Sequence, residues 1–177
     1  MNLVLIGYRA TGKTTLAALL AARLEWDWVD ADVEIERRAG KSIARIFAED
    51  GEPAFRDLEA RVIADLSGRR RLVLAAGGGA PLRPESRRAM RRSGKVVWLK
   101  ASSETIRARM YGDQTTAARR PNLTEKGPLD EIVHLLGVRE PIYRETADLE
   151  IDTESRTPGQ LADEILKRLD LGGEDSA

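Results

Sequence analysis

Short apolar runs alternate with longer helix-forming stretches along nearly the whole chain. The apolar runs are rich in Leu, Val and Ile and have the length of buried strands. They predict five strands, at Leu3–Ile6, Trp28–Val29, Leu72–Ala76, Val96–Leu99 and Leu149–Ile151. The stretches between them predict eight helices, at Lys13–Leu24, Val33–Arg38, Ile43–Glu49, Pro53–Ser67, Pro84–Ser93, Glu104–Tyr111, Leu129–Ala147 and Pro158–Leu169. This alternation is typical of a three-layer α/β/α fold, in which helices cover both faces of a five-stranded parallel sheet.

Two segments depart from this pattern. Residues Gly112 to Pro128 are polar, lack helical or strand periodicity and contain Gly and Pro breakers. Irregular segments of this length in compact domains are usually functional loops or disordered, so we expect a mobile lid there. Residues 171–177 are small and acidic and predict a flexible tail. Residues 1–170 then form a single domain of ordinary size.

Charge and cysteine content exclude several classes of function. The chain has 29 Lys and Arg residues and 29 Asp and Glu residues, which gives no net charge. No overall electrostatic attraction therefore draws the protein to nucleic acid or to a membrane. The chain contains no cysteine, which excludes disulfides, thiolate catalysis and zinc–thiolate sites and permits a reducing compartment. It enters its first strand without a signal-peptide pattern. We therefore expect a cytoplasmic enzyme.

The segment Gly7–Thr15 fits the spacing G-x-x-x-x-G-K-[ST] of a phosphate-binding loop. Gly7 and Gly12 let successive backbone N–H groups turn towards an anion. Lys13 brings a positive charge to the β and γ phosphates, and the Thr14 hydroxyl is a ligand for Mg²⁺. The expected ATP contacts in this loop are Ala10, Thr11, Gly12, Lys13, Thr14 and Thr15. A chance glycine turn is the alternative, and the preceding strand and following helix argue against it.

Asp30 and Asp32 end the short second strand. Residues i and i+2 on a strand share a face, so we expect both carboxylates to point towards the transferred phosphoryl group. One would hold magnesium through water, and the other would orient an acceptor hydroxyl. The alternative is that Asp32 only caps the helix predicted to start at Val33.

Two further features suggest where an acceptor binds. The triplet Gly77, Gly78 and Gly79 follows the third predicted strand, and because a tight turn needs only one or two glycines, the third favours a ligand lying against the peptide groups. A plain turn is the alternative. Arg56 has two interpretations of equal weight: it faces a ligand, or it pairs with Glu52 one helical turn earlier.

Together these motifs resemble the shikimate kinases, whose fold is similar to that of the nucleoside monophosphate kinases. The matching elements are Gly7–Thr15, Asp30-Ala31-Asp32, Gly51-Glu52, Phe55-Arg56, Glu59, Gly77–Gly79, Arg120-Pro121, Arg139-Glu140-Pro141-Ile142-Tyr143, Ile151-Asp152-Thr153 and Pro158. The resemblance runs from Leu3 to about Leu169. It implies a monomeric P-loop kinase with a mobile lid that transfers the γ-phosphoryl group of ATP to the 3-hydroxyl of shikimate.

The resemblance also implies roles for individual residues around the transferred group. Thr14 would ligate Mg²⁺ directly and Asp30 through water. Asp32 would bind the shikimate hydroxyls and orient or deprotonate the attacking one. Lys13 and Arg120 of the lid would balance the charge of the transferring group.

Five further positions are implied around the two substrates. Arg56 and Arg139 would form a fork around the shikimate carboxylate, beside Gly77, Gly78 and Gly79. Arg109 and Arg156 would lie near the adenine of ATP, although each could instead be a surface charge.

The chain departs from the family pattern at two places. The lid has several more residues between Arg109 and Arg120 than many members carry, which leaves Arg119 as a rival for the phosphate contact. Ala10 stands where many members have a glycine.

Three other functions compete with this interpretation. A gluconate kinase would share the P-loop and lid but should lack the paired arginines and the glycine triplet. A nucleoside monophosphate kinase is the next alternative. A non-catalytic ATP-binding module would need no acceptor pocket, so Asp32 and the triplet argue against it.

Overall fold

The computed structural model describes residues 1–112 and 128–171, and in these residues five strands form one parallel sheet in the order β2-β3-β1-β4-β5. The strands are β1 (Asn2–Ile6), β2 (Asp27–Asp30), β3 (Leu72–Ala75), β4 (Gly94–Lys100) and β5 (Leu149–Asp152). All four neighbouring pairs are parallel. The five predicted strands and the parallel sheet are therefore confirmed.

The predicted helices are also present in the described residues. They are α1 (Lys13–Leu24), α2 (Ala31–Ala39), α3 (Ile43–Ser67), α4 (Pro84–Ser93), α5 (Ser103–Gly112), α6 (Pro128–Thr146) and α7 (Pro158–Arg168). The two helices predicted at Ile43–Glu49 and Pro53–Ser67 are the halves of α3, which kinks at Gly51 with φ 84° and ψ 167°. A residue without a Cβ adopts that backbone at low cost, and Pro53 starts the second half.

Alternate side chains of β1 enter two cores, one on each face of the sheet. Val4 and Ile6 pack in the core that includes Ile35 of α2 and Phe55 of α3. Leu3 and Leu5 pack in the other core with α1 and α7. These four β1 side chains are fully buried. This period-two division of one strand between two cores is what a three-layer α/β/α fold requires.

The position of Asp32 differs from the sequence prediction. Strand β2 ends at Asp30, and Asp32 lies in the first turn of α2. Asp30 itself caps α2: its Oδ1 accepts hydrogen bonds from the N–H groups of Asp32 at 2.9 Å and Val33 at 3.4 Å. The prediction that the two carboxylates share a strand face was wrong, and the alternative named the wrong cap, because a capping Asp at a strand end starts the helix immediately.

The order of the strands locates the main crevice. From the central β1 the chain passes to the β2 edge, returns to β3, and then crosses to β4 on the other side of β1. Ligands of open parallel sheets bind at the carboxyl ends of the strands where the order reverses in this way. Segment Gly7–Gly12 follows β1 there, and Gly77–Gly79 follow β3.

Two predictions lie outside the described residues: the lid over 112–128, apart from its two ends, and the tail apart from Leu171. Within the described ranges no helix is long and apolar enough to span a membrane.

Candidate functional site

The loop between β1 and α1 turns sharply at its two glycines. Gly7 has φ 141°, and a Cβ there would lie 2.5 Å from the carbonyl oxygen of Leu99. Gly12 has φ 88° and is the N-cap residue of α1. Thr11 is buried, and its hydroxyl donates to the Tyr8 carbonyl at 2.8 Å. The loop therefore presents the N-terminus of α1 to the crevice, as an anion site requires.

Lys13 keeps its charge close to this loop. Its Nζ donates to the carbonyls of Gly7 at 2.9 Å and Tyr8 at 2.7 Å. Ala10, which stands where many family members have a glycine, has φ 61°. A left-handed alanine carries a strain of about 1–2 kcal/mol, so this loop tolerates the substitution at an energetic cost.

Thr14 and Asp30 form the oxygen-rich part of the site. The Thr14 hydroxyl donates to Asp30 Oδ2 at 2.6 Å, and neither side chain is buried. In the described part of the chain no group of three or more His, Cys, Asp or Glu side chains could hold a metal. Mg²⁺ is usually held by one or two protein oxygens together with phosphates and water, so a hydroxyl and a carboxylate beside a phosphate loop fit it.

Arg56 is buried on α3, with 8% of the residue exposed. Its Nη1 donates to Glu59 Oε2 at 2.7 Å, and its Nε and Nη2 donate to Glu52 Oε1 at 3.3 and 3.2 Å. The Glu52 pairing considered from the sequence is present, together with a second pairing to buried Glu59 at spacing i+3. These bonds hold the guanidinium in place while using three of its five N–H donors.

The glycine triplet lies against two arginines. A Cβ on Gly79 would lie 2.6 Å from Cζ and 2.7 Å from Nη2 of Arg56. A Cβ on Gly78 would lie 3.5 Å from Nη1 of Arg139, which is 5% exposed. Tyr143 Oη donates to the Gly78 carbonyl at 2.5 Å. The structure thus brings together two buried guanidinium groups, from α3 and α6, at adjacent glycines after β3.

Arg109 joins the phosphate loop to the segment after β5. Its guanidinium donates to Thr153 Oγ1 at 3.0 Å, to the Thr153 carbonyl at 3.1 Å and to the Ala10 carbonyl at 3.4 Å. Arg156 instead pairs with Glu164 on α7 and is exposed. Arg119 and Arg120 lie outside the described residues.

Sequence reasoning missed three residues that support this site: Tyr8, Glu59 as a partner of Arg56, and Glu131. Glu59 has a local signal, the i+3 spacing from Arg56. Glu131 pairs with Arg9 at a separation of 122 residues, for which the chain carries no local spacing signal.

Comparisons with known proteins agree on one family. The family model for shikimate kinase matches residues 9–170. A shikimate kinase from Rhodopirellula baltica is 47% identical over 166 residues, which cover 94% of this chain and 89% of the relative. One from Hahella chejuensis is 43% identical over 175 residues, or 99% of this chain and 89% of that relative. A solved structure of shikimate kinase from Acinetobacter baumannii in complex with shikimate has a TM-score of 0.90 and 36% identity, and covers 98% of this chain and 95% of that one.

Proposed function

The chain belongs to the shikimate kinase family, and we propose that it transfers the γ-phosphoryl group of ATP to the 3-hydroxyl of shikimate, giving shikimate 3-phosphate and ADP. It is thus an ATP-dependent phosphotransferase with an alcohol acceptor. The observation that carries the proposal is the pair of buried guanidinium groups, Arg56 and Arg139, at the glycines beside the phosphate loop.

On the donor side, the loop residues Ala10, Thr11, Gly12, Lys13, Thr14 and Thr15 bind the phosphates of ATP. Mg²⁺, when bound, would offset the charge of the ATP phosphates. Thr14 would ligate it directly and Asp30 would hold it through water, a pairing that their shared hydrogen bond supports. Lys13, now bonded to loop carbonyls, turns towards the transferring group.

On the acceptor side, Arg56 and Arg139 bind the shikimate carboxylate. Arginine forks match carboxylate geometry, and two N–H donors of Arg56 remain beyond those held by Glu52 and Glu59. Gly77, Gly78 and Gly79, which we call the glycine wall, lie against the ring of shikimate. Two buried guanidinium groups would not increase the affinity for an uncharged acceptor.

Asp32 orients or deprotonates the attacking hydroxyl. Its place in the first turn of α2, next to the Asp30 that faces Thr14, supports this role. General-base assistance by a positioned carboxylate contributes about 10²- to 10⁴-fold in rate.

Three arginines complete the proposal. Arg120 balances charge on the transferring group, a role that rests on the resemblance alone. Arg109 lies near the adenine, which its bridge between the phosphate loop and Thr153 supports. Arg156 is also proposed there and would have to leave Glu164 to take part.

A coupled assay with MgATP across shikimate, quinate, gluconate and nucleoside monophosphates tests this function. We expect the protein to phosphorylate shikimate. Gluconate and the nucleoside monophosphates should not be phosphorylated, because they do not fit between the Arg56–Arg139 pair and the glycine wall. Turnover of gluconate or a nucleotide without shikimate would overturn the assignment. Nucleotide binding with no acceptor turned over would favour a binding module.

We further propose that the chain acts as a cytoplasmic monomer built on one domain over 1–170, with ATP supplied by the cytoplasmic pool. Light scattering at assay concentration tests the monomer. A chain that ends at residue 170, without the tail, tests the domain. A dimer mass, or loss of cooperative unfolding on truncation, would contradict these statements.

A further inference from the structure

Two residues of the phosphate loop make contacts that the donor site does not require. Arg9 Nη2 lies 3.2 Å from Glu131 Oε1 on α6. The Glu131 side chain is 1% exposed and that of Arg9 16%. A buried carboxylate needs a paired charge, so this ion pair ties the loop to the first turn of α6.

The preceding residue, Tyr8, makes a second connection to the same helix. Its ring is buried among Ile106 and Ile132. The Cζ of Arg139 lies 5.5 Å from the centre of that ring, and the Cζ of Arg9 lies 5.7 Å from it. Two guanidinium groups therefore share one aromatic ring, an attractive arrangement for each cation.

Gly78 of the glycine wall lies beside both the phosphate loop and Arg139 of α6. A Cβ on Gly78 would meet the Gly7 carbonyl oxygen at 3.4 Å, Arg139 Nη1 at 3.5 Å and the backbone nitrogen of Arg9 at 3.7 Å. The phosphate loop, the glycine wall and Arg139 of α6 thus meet around Gly78.

From these contacts we propose that Arg9 is a positioning residue: its ion pair with Glu131, together with the Tyr8 ring, fixes Arg139 for binding of the acceptor carboxylate. The inference rests on the proposed role of Arg139. It makes the donor loop part of the acceptor site through the Tyr8 and Arg9 side chains, which contact residues of α6. Arg9 then controls acceptor affinity more than nucleotide affinity.

The distribution of contacts supports that selectivity. The phosphate-facing half of the loop has its own supports, the Thr11 hydroxyl on the Tyr8 carbonyl and Arg109 on the Ala10 carbonyl. Neither involves Glu131. Removing Glu131 should therefore disturb α6 and Arg139 while the phosphate groove keeps its shape.

The test compares Arg9→Met, Glu131→Gln and the double variant with wild type, measuring KM for shikimate, KM for MgATP, kcat and thermal unfolding. We expect each single variant to raise KM for shikimate about tenfold and to change KM for MgATP less than about threefold. The double variant should be no worse than either single one, because both remove the same pair. Arg9→Lys should recover most of the affinity, since one N–O contact at 3.2 Å is within reach of an ammonium group.

Arg45→Met is the matched control, because it breaks an exposed Arg–Glu pair with Glu49 on α3; it should leave both KM values unchanged. Equal increases in both KM values, additive effects in the double variant, or a lowered unfolding temperature with unchanged KM would each overturn the inference. Failure of the wild-type protein to phosphorylate shikimate would instead overturn the proposed function.

Discussion

Thr14 Oγ1 lies 2.6 Å from Asp30 Oδ2, while Oδ1 of the same carboxylate accepts the N–H of Asp32 at 2.9 Å. The side chain of Asp30 thus connects the first turn of α1, beside the phosphate loop, to the first turn of α2. Its structural role as a helix cap can be separated from its proposed role beside Mg²⁺, because asparagine caps helices as well as aspartate but carries no charge.

Asp30→Asn should keep the fold and weaken the use of magnesium. We expect an unchanged unfolding temperature and a Mg²⁺ requirement raised about tenfold or more, since a neutral amide is a poor partner for this hard cation. Asp30→Ala should add a loss of stability of about 1 kcal/mol from the missing cap. Thermal unfolding and Mg²⁺ titration of turnover at fixed ATP measure the two effects. Equal destabilisation by Asn and Ala, or an unaltered Mg²⁺ curve for Asn, would contradict this division.

Asp32→Asn should abolish most turnover without unfolding the protein. Asp30 is the cap of α2, and the charge of Asp32 in the first turn of that helix contributes about 0.3–1 kcal/mol to stability. We expect kcat to fall at least about 100-fold while ADP binding, measured by calorimetry, stays within about twofold. Asp27→Asn makes the same change at the other end of β2 and should leave both kcat and ADP binding unchanged. Near-normal kcat in Asp32→Asn would leave this carboxylate without a catalytic role.

The fold was predictable from the sequence because its signals are local. Helix α4 begins at Pro84 and is followed by Gly94, so both of its predicted bounds are confirmed. The sheet was predictable for the same reason, since each strand is a short apolar run that needs no knowledge of its neighbours. The kink in α3 was also signalled locally, by Gly51 and Pro53.

The site was less predictable, because several of its supports depend on tertiary contacts. Asp32 was placed on a strand because β2 is only four residues long and its end coincides with the cap of α2. The ion pair of Arg9 with Glu131 and the ring contact of Tyr8 with Arg139 join residues more than 100 positions apart. No spacing rule connects such residues.

Acid stability should depend on Glu34 of α2. Hydrogen bonds from Arg37 and Arg38 lower the pKa of this carboxyl from 4.5 to about 2. Since the folded pKa lies below the unfolded value, the carboxylate stabilises the fold above about pH 4.5, and this contribution disappears as the pH falls towards about 2.

Glu34→Gln should therefore lower the unfolding temperature at pH 7 and flatten the decline of that temperature between about pH 4.5 and about pH 2. Glu25→Gln is the control, because the Glu25 side chain makes no hydrogen bond or ion pair within the described residues and its backbone cap bond to the Ala21 carbonyl is unaffected by the change. Its curve should run parallel to that of the wild type. A Glu34→Gln curve that also ran parallel to the wild type would show that the arginine contacts do not contribute to acid stability.

Gly79→Ala should remove acceptor binding while leaving the fold and the donor site intact. The backbone of Gly79, at φ −96° and ψ −8°, suits any residue, so strain arises only where the new Cβ meets the guanidinium of Arg56. That group is the movable end of a side chain, and we expect it to leave its bonds to Glu59 and raise KM for shikimate at least about tenfold. ADP affinity should not change.

Gly137→Ala, at an open position in α6, is the matched control and should leave the stability of the fold unchanged or raise it by about 0.5–1 kcal/mol. If Gly79→Ala bound shikimate normally, the glycine wall and Arg56 would not form the acceptor site.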